Sequence, residues 1–352
     1  MEIYSTNNLI EVVRKAPAPG TFLRTRFFPT TPRDIFKTKK VYIERADDGN
    51  LAAPFVIPYS GSKLMERQGY TGEELMPAFL NPARDMSIDQ LMKKGIGETL
   101  YDETTPEERE QNYLADDLVF LQNAIQRSWE WMCGQIICSG YVDCQIEGSD
   151  PARFQYYDGS FGNKMTFLDG SSNPEYWDGS GVSIYGQISD MANDIDAEYG
   201  DLDLVLGAQL VKLVMTDPEM IKMLDAANLN IGQIGPDAEA FPGVGYIGTV
   251  NFSGKTLNMY SYNAKANVNG SLVNYFNPKY AAVMPRTGFG ATKFGSITQL
   301  EQEDKKFHTY TAEMVPRVLA DEHSDTRRIE MKSAPLPHPY ALDSWRVVQA
   351  LA

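Results

Sequence analysis

The chain has 352 residues, 43% of them hydrophobic and 22% charged, with a formal net charge of −15. That length allows one large or two moderate folded domains, and no run approaches the roughly 18 apolar residues that cross a bilayer. The acidic balance disfavours tight duplex-DNA binding, which needs clustered cations, and three cysteines give no disulfide framework.

Residues 1–9 lack the charged-then-apolar layout of a secretion signal, so the expectation is a chain that stays in a reducing cytoplasm. Residues 1–50 hold nine Lys/Arg against six Asp/Glu, a net of +3, which leaves −18 for the rest. A basic leading segment on an acidic body can be drawn to an acidic surface on another copy, or can be ordinary solvated loop charge. Pro17, Pro19, Gly20, Pro29 and Pro32 forbid a long helix here. Short apolar pieces lie between them (Phe22-Leu23, Phe27-Phe28), and Val41-Tyr42-Ile43 reads as a strand.

Residues 51–101 continue the irregular style. Phe55-Val56-Ile57 predicts a short strand between Pro54 and Pro58, and Met86-Ser87-Ile88 another extended piece. Together they suggest a long two-stranded excursion, which is marginally stable unless it lies on something. Residues 105–139 then predict one long helix. Thr105 is the N-cap, Pro106 takes the first position, and Glu108 completes a capping box. Leu114, Leu118, Leu121, Ile125, Met132 and Ile136 recur at helical spacing, Trp129 and Trp131 widen that face, and Gly140 supplies the stop. At about 1.5 Å per residue the helix spans roughly 50 Å.

Downstream the pattern is mixed. Residues 153–157 predict a strand, 182–199 a helix, 202–206 a short buried strand, and Leu210 and Pro218 introduce two further helices. Residues 244–300 are β-rich with a hairpin at Asn269-Gly270, and 314–319, 329–331 and 346–351 predict closing strands.

Motifs that carry chemistry are weak. Gly243-Val244-Gly245-Tyr246-Ile247-Gly248 spells a dinucleotide fingerprint, but Phe241-Pro242 precedes it and a β-type run follows, where strand and helix are required. Asp321-Glu322-His323-Ser324-Asp325 sets acid, base and hydroxyl side by side on a polar loop, whereas a triad converges from distant segments. His308, His323 and His338 form no tight pair, and Cys133 and Cys138 do not face one point on a helix. Asp194, Asp196, Asp201 and Asp203 lack the glycine and closing glutamate of a calcium loop. The residues predict no catalytic centre, no cofactor and no metal.

The order of parts is the stronger signal. The opening Met1-Glu2-Ile3-Tyr4-Ser5-Thr6, the Phe22-Leu23-Arg24 and Phe27-Phe28-Pro29 cluster, and Lys40-Val41-Tyr42-Ile43 come first. Ala53-Pro54-Phe55-Val56, Ser60-Gly61, Gly69-Tyr70, Pro77-Ala78-Phe79 and Asn81-Pro82 follow. Lys332-Ser333-Ala334-Pro335-Leu336 and Val347-Val348-Gln349-Ala350-Leu351 close the chain. In this order the sequence resembles the major capsid proteins of tailed bacteriophages, more narrowly the major head protein (capsid protein E) family of phage lambda. The resemblance implies an α+β tailed-phage major capsid fold. It places an N-terminal arm at 1–50, an extended loop at 51–101, and the spine helix with the first peripheral-domain strands at 102–176. An axial domain follows at 177–300 and returning peripheral strands at 301–352.

The resemblance also implies contacts between subunits through Arg14, Lys15, Phe22, Arg24, Arg26, Phe27 and Phe28 of the arm. Lys63, Met65, Arg67, Tyr70 and Phe79 would do the same in the loop. Leu114, Leu118, Leu121, Ile125, Trp129, Met132 and Ile136 would pack the spine helix. Which way Trp129 and Trp131 face stays open. The implied function is self-assembly into hexamers and pentamers of an icosahedral shell that encloses double-stranded DNA without reading its sequence. Such a protein resides in the virion after assembly in the host cytoplasm. Portal, scaffolding and decoration proteins are further candidate partners, and no membrane is involved. The alternative is a bacterial nanocompartment shell of the same fold, with an α/β enzyme as the outlying reading.

Overall fold

The structure, a computed structural model, describes residues 21–46, 70–87, 106–144, 152–155, 161–169, 171–196, 199–226, 241–252, 254–268, 270–302, 304–321 and 326–352. The expected strand at 55–57, the Thr105 cap, and the candidate contacts Arg14, Lys15, Lys63, Met65 and Arg67 lie outside the described residues.

In chain order, a short helix α1 (Phe22–Phe27) and a 3-10 turn (Pro32–Asp34) lead to β1 (Val41–Ala46), β2 (Tyr70–Leu75) and β3 (Ala83–Ser87). The long helix α2 (Pro106–Ser139) follows, then β4 (Tyr141–Cys144), β5 (Ala152–Gln155) and β6 (Lys164–Met165). The middle of the chain holds α3 (Ile184–Asn193), β7 (Asp201–Gly207), α4 (Val211–Thr216) and α5 (Pro218–Ala226). It continues through β8 (Val244–Phe252), β9 (Lys255–Tyr262), β10 (Lys265–Val268), β11 (Ser271–Asn274) and β12 (Tyr280–Pro285). The last part comprises β13 (Gly290–Phe294), β14 (Ile297–Leu300), β15 (Phe307–Tyr310), β16 (Val315–Asp321), β17 (Thr326–Lys332), β18 (Pro335–Pro339) and β19 (Arg346–Gln349).

The central sheet runs β6-β19-β12-β7-β9-β8. Its inner strand β7 is buried on both faces from Leu202 to Gly207, with apolar side chains on both sides and one buried charge, Asp203. Val205 joins one core with Met132, Ile136, Phe22 and Phe27, while Leu204 and Leu206 join a second core with Ile188, Met191 and Val214. The C-terminal half of α2 and the α1 segment therefore lie on one face, and α3, α4 and α5 on the other. The N-terminal half of α2 packs on a smaller sheet, β16-β17-β3. There Leu114, Leu118, Leu121, Ile125 and Trp129 meet Met86, Phe294, Ile329 and Met331. One helix thus serves two sheets, and its apolar stripe has to run its whole length.

Two ends are set by specific groups. Helix α2 stops at Gly140, whose positive φ of 75° is the left-handed conformation that suits glycine, and whose N–H reaches the Ile136 carbonyl at 2.8 Å. Helix α3 ends at Asn193, short of the predicted 199. The Lys255 ammonium donates to the Ala192 carbonyl at 2.7 Å and to that of Ile195, which closes the helix from outside.

The excursion is partly visible. Strands β1 and β2 form one antiparallel ladder from Val41↔Leu75 to Ala46↔Tyr70. A division at residue 50 therefore separates two strands that belong together. Strand β3 instead joins β17, so residues 83–87 are part of the small sheet. The hairpin predicted at Asn269-Gly270 is present as β10–β11.

Candidate assembly surface

The segment expected to reach a neighbour begins inside the chain's own core. Phe22 and Phe27 are 1% exposed and Phe28 is fully covered. Their rings pack edge-on against each other and against Phe241 and Phe289 at 5.1–5.9 Å. These three side chains consequently have no surface to offer another copy, which corrects their assignment as inter-subunit contacts. Burying each is worth about 1.5–3 kcal/mol, and the aromatic wall that receives them comes from residues more than 200 positions away.

Glu130 of α2 fixes the segment. Its carboxylate is fully buried and accepts from Leu23 N–H at 2.7 Å, Arg24 N–H at 2.9 Å and the Tyr262 hydroxyl at 2.6 Å. It satisfies two N–H groups of the first turn of α1, from a helix about a hundred residues away in sequence. Burial raises its pKa above the ordinary carboxylate value, and the Tyr262 and backbone hydrogen bonds oppose that rise. The same burial, together with the charge of Glu130, pushes the Tyr262 phenol up strongly.

The two arginines of the segment are also engaged within the chain. Arg24 lies over the Trp129 ring at 4.2 Å and pairs with Glu313 at 2.7 Å. Arg26 pairs with the fully buried Asp203, donates to the Tyr260 hydroxyl at 2.9 Å and covers that ring at 4.7 Å. Arg24 and Arg26 therefore clamp the segment to its own body.

The seven residues predicted to pack α2 (Leu114, Leu118, Leu121, Ile125, Trp129, Met132 and Ile136) are each at most 5% exposed. Trp129 and Trp131 part company. Trp129 is fully buried against Phe294 at 5.1 Å, whereas Trp131 is half-buried and lines surface grooves. Gly134 is where the helix meets the turn after β11, since a Cβ there would overlap the Tyr275 carbonyl.

What the chain leaves uncovered is a set of apolar side chains on its surface. Phe79, a predicted loop contact, is 57% exposed beside Met76 at 50%. Tyr70, another, is described only as the backbone partner of Ala46. Leu272 on β11 and Phe307 on β15 are each 77% exposed. Phe307 faces Leu300 across a two-stranded hairpin, and Phe120 stands out from α2 beneath the Arg84 guanidinium at 3.6 Å. Such side chains are the material from which an interface is made. The sequence pattern alone did not single out Phe120, Leu272 or Phe307.

The weak chemical motifs fall apart in space. The glycine string lies in β8, which continues as a strand to Phe252. Asp321 and Thr326 face each other at the end of the β16–β17 ladder, so the acid-His-Ser run is the connection between them, and residues 322–325 lie outside the described residues. His308 bonds Asp304 at 2.7 Å on an exposed hairpin, while His338 is buried in β18. Among the four aspartates, Asp203 is buried with Arg26 and Asp194 pairs with Arg346. Among the described residues no three His, Cys, Asp or Glu side chains gather as metal ligands do. The cysteines are free, and burial lifts Cys144 to about 11, Cys138 to about 12 and Cys133 well above its usual value.

Comparison with known proteins agrees with this architecture. A family model described as phage major capsid protein E matches residues 5–350. A crystal structure described as a capsid protein of a prophage from E. coli CFT073 aligns with a TM-score of 0.68 at 15% identity, over 98% of this chain and 99% of that one. The mature capsid of bacteriophage PhiM1 aligns with a TM-score of 0.50 at 11% identity, over 95% of this chain and 88% of that one. At these identities the likeness shows the fold, which is the phage capsid fold. No curated protein matches the chain.

Proposed function

The chain belongs to the phage major capsid protein E family, and from that premise we propose that it assembles into hexamers and pentamers of an icosahedral shell around double-stranded DNA. The observation that carries the reading is the family match itself, which spans residues 5–350. The family places the protein in the shell of the virion. The finer reading is assembly in the host cytoplasm, with portal, scaffolding and decoration proteins as partners and no catalytic role. The pairing of Asp203 with Arg26, Asp194 with Arg346 and His308 with Asp304, in separate parts of the fold, supports that last point.

Exposed apolar side chains at Phe79, Leu272 and Phe307 support self-association, since large obligate interfaces draw on such residues. Because Phe22, Leu23, Phe27 and Phe28 are buried in the body, residues 1–20 are the part of the arm proposed to reach a neighbour. Electron microscopy of the purified protein tests the reading: shells or capsomers are expected. Protein that stays monomeric across salt and concentration would overturn it. Deleting residues 1–20 should reduce assembly and leave a folded subunit.

A further inference from the structure

The charges of this chain are sorted in space. Residues 175–226, which carry α3, α4 and α5 on one face of the central sheet, hold eleven Asp/Glu against two Lys, a net of −9. Residues 31–40 hold four cations, Arg33, Lys37, Lys39 and Lys40, against one acid, a net of +3. That acid is withdrawn from the surface. Asp34 is 8% exposed, and its carboxylate accepts from the Thr31 N–H at 2.8 Å and the Thr31 hydroxyl at 2.6 Å. The four cations are all exposed. Lys40 pairs with Glu74 at 2.9 Å, whereas Arg33, Lys37 and Lys39 have no ion pair among the described residues. In a chain with 47 acids and 32 Lys/Arg, a shortage of acids does not explain three unpaired cations in one strip.

The strip has a defined backbone. Ile35 bridges Phe294 of β13, the Phe36 N–H donates to the Phe294 carbonyl at 2.8 Å, and the Ser296 N–H donates to the Thr38 carbonyl at 2.9 Å. The same pairing sets Lys293 of β13 over the Phe36 ring at 5.9 Å, so a fifth cation joins the strip from a distant strand. The capping box between Thr31 and Asp34 holds the turn that carries Arg33.

We infer that residues 33–40, with Lys293, form a contact for nucleic-acid phosphates and mark the side of the subunit that touches duplex DNA. The exposed side chains of the strip are Thr, Pro, Arg and Lys, with Ile35 and Phe36 half-buried. A contact between protein surfaces centres on apolar and aromatic groups and is poor in Lys. Phosphate contacts are made by Lys and Arg and need no apolar floor. Such cations hold the backbone of the duplex without reading its bases. The acidic layer of α3, α4 and α5 repels the same phosphates, so the field of the subunit turns the strip toward the DNA. The inference rests on the shell reading, which supplies the DNA.

The test uses full-length protein, below the concentration at which it assembles, and a short fluorescent duplex of arbitrary sequence. Anisotropy at rising salt should show weak binding whose logarithm falls against log salt with a slope of about −3, as three released counterions require. Arg33→Glu, Lys37→Glu and Lys39→Glu together should abolish binding. A control with the same change of net charge, Lys212→Glu, Lys222→Glu and Lys306→Glu, should keep most of it. No binding at low salt overturns the inference, as does equal weakening by the control. Lysines on a sheet edge also keep it from pairing with other strands; if that is their whole role, charge reversal in the strip leaves DNA binding unchanged, which overturns the inference too. A labelled polyglutamate peptide bound through the strip as tightly as the duplex would make the partner an acidic protein and overturn the assignment to DNA. As a second measurement, acetylation of Lys37 and Lys39 should be slower in particles filled with DNA than in particles emptied of it. Equal rates strike at the strip alone, whereas a chain that binds the duplex through the strip and never forms particles strikes at the shell reading.

Discussion

Replacing Glu130 tests whether a single buried carboxylate holds the N-terminal segment on the long helix. Glu130→Ala removes the acceptor of three donors, the N–H groups of Leu23 and Arg24 and the Tyr262 hydroxyl. Each buried donor left unmatched costs about 1–3 kcal/mol. Against this, the variant no longer buries a charge, and the raised pKa shows that burying it is costly. The net expectation is a loss of about 3–5 kcal/mol, as for one partner removed from a buried charged pair. Glu130→Gln keeps one carbonyl oxygen for two donors but turns an amide N–H₂ toward the third, so its loss should be smaller.

The pH dependence carries a definite sign. Because the folded carboxyl holds its proton more tightly than the unfolded one, its favourable contribution is full below the ordinary carboxylate pKa. It declines as pH rises through the higher folded value. Urea unfolding of the unassembled subunit from acid to neutral pH should therefore show wild type losing ground relative to Glu130→Gln as pH rises. Parallel pH profiles for the two proteins, or a Glu130→Ala loss below about 1 kcal/mol, would refute the reasoning.

Gly134→Ala should destabilise by at least about 2 kcal/mol despite the roughly 1 kcal/mol that helix propensity favours, because the new Cβ meets the Tyr275 carbonyl; thermal unfolding reads the sign. Trp129→Ala should cost about 3–5 kcal/mol by opening a cavity against Phe294 and removing the platform under Arg24, again measured by denaturant unfolding. Lys255→Met should fray the end of α3, and hydrogen exchange at Ile188 to Ala192 should quicken while β12 amides stay protected. With all three cysteine pKa values raised by burial, a neutral-pH thiol reagent should label the native subunit slowly and the urea-unfolded chain rapidly.

The long helix could be read from the sequence because its signals are local. Pro106 at the first turn, apolar residues three and four apart, and Gly140 past the end act within a few positions of one another, and the structure runs from Pro106 to Ser139. The end of α3 could not be read that way, since the group that stops it, Lys255, is about sixty residues off. The same applies to the N-terminal segment. Phe22, Phe27 and Phe28 look unprotected in a proline-rich stretch with no local core. Their partners (Phe241, Phe289, Tyr260 and Tyr262) come from strands and turns that only the completed sheet brings together. Glu130 stands between two tryptophans whose orientation the sequence left open. Its meaning depends on α1, whose N–H groups give a buried carboxylate something to do.

That dependence has a mechanical consequence. The two halves of α2 rest on different sheets, Leu114 to Trp129 on β16-β17-β3 and Met132 to Ile137 on the central sheet. The segment around α1 touches both. Arg24 reaches Trp129 and Glu313 on the small-sheet side, while Phe22 and Arg26 reach Tyr260 and Asp203 on the central sheet. Glu130 sits where the two halves meet, with its carboxylate on the segment's backbone. The segment therefore couples the sheets more directly than the helix does, because a helix alone can bend between its two supports. The expected outcome is that a push on one sheet passes to the other through the Arg26–Asp203 and Arg24–Glu313 pairs and the aromatic contacts. Loosening the segment should let the two sheets move independently before either unfolds.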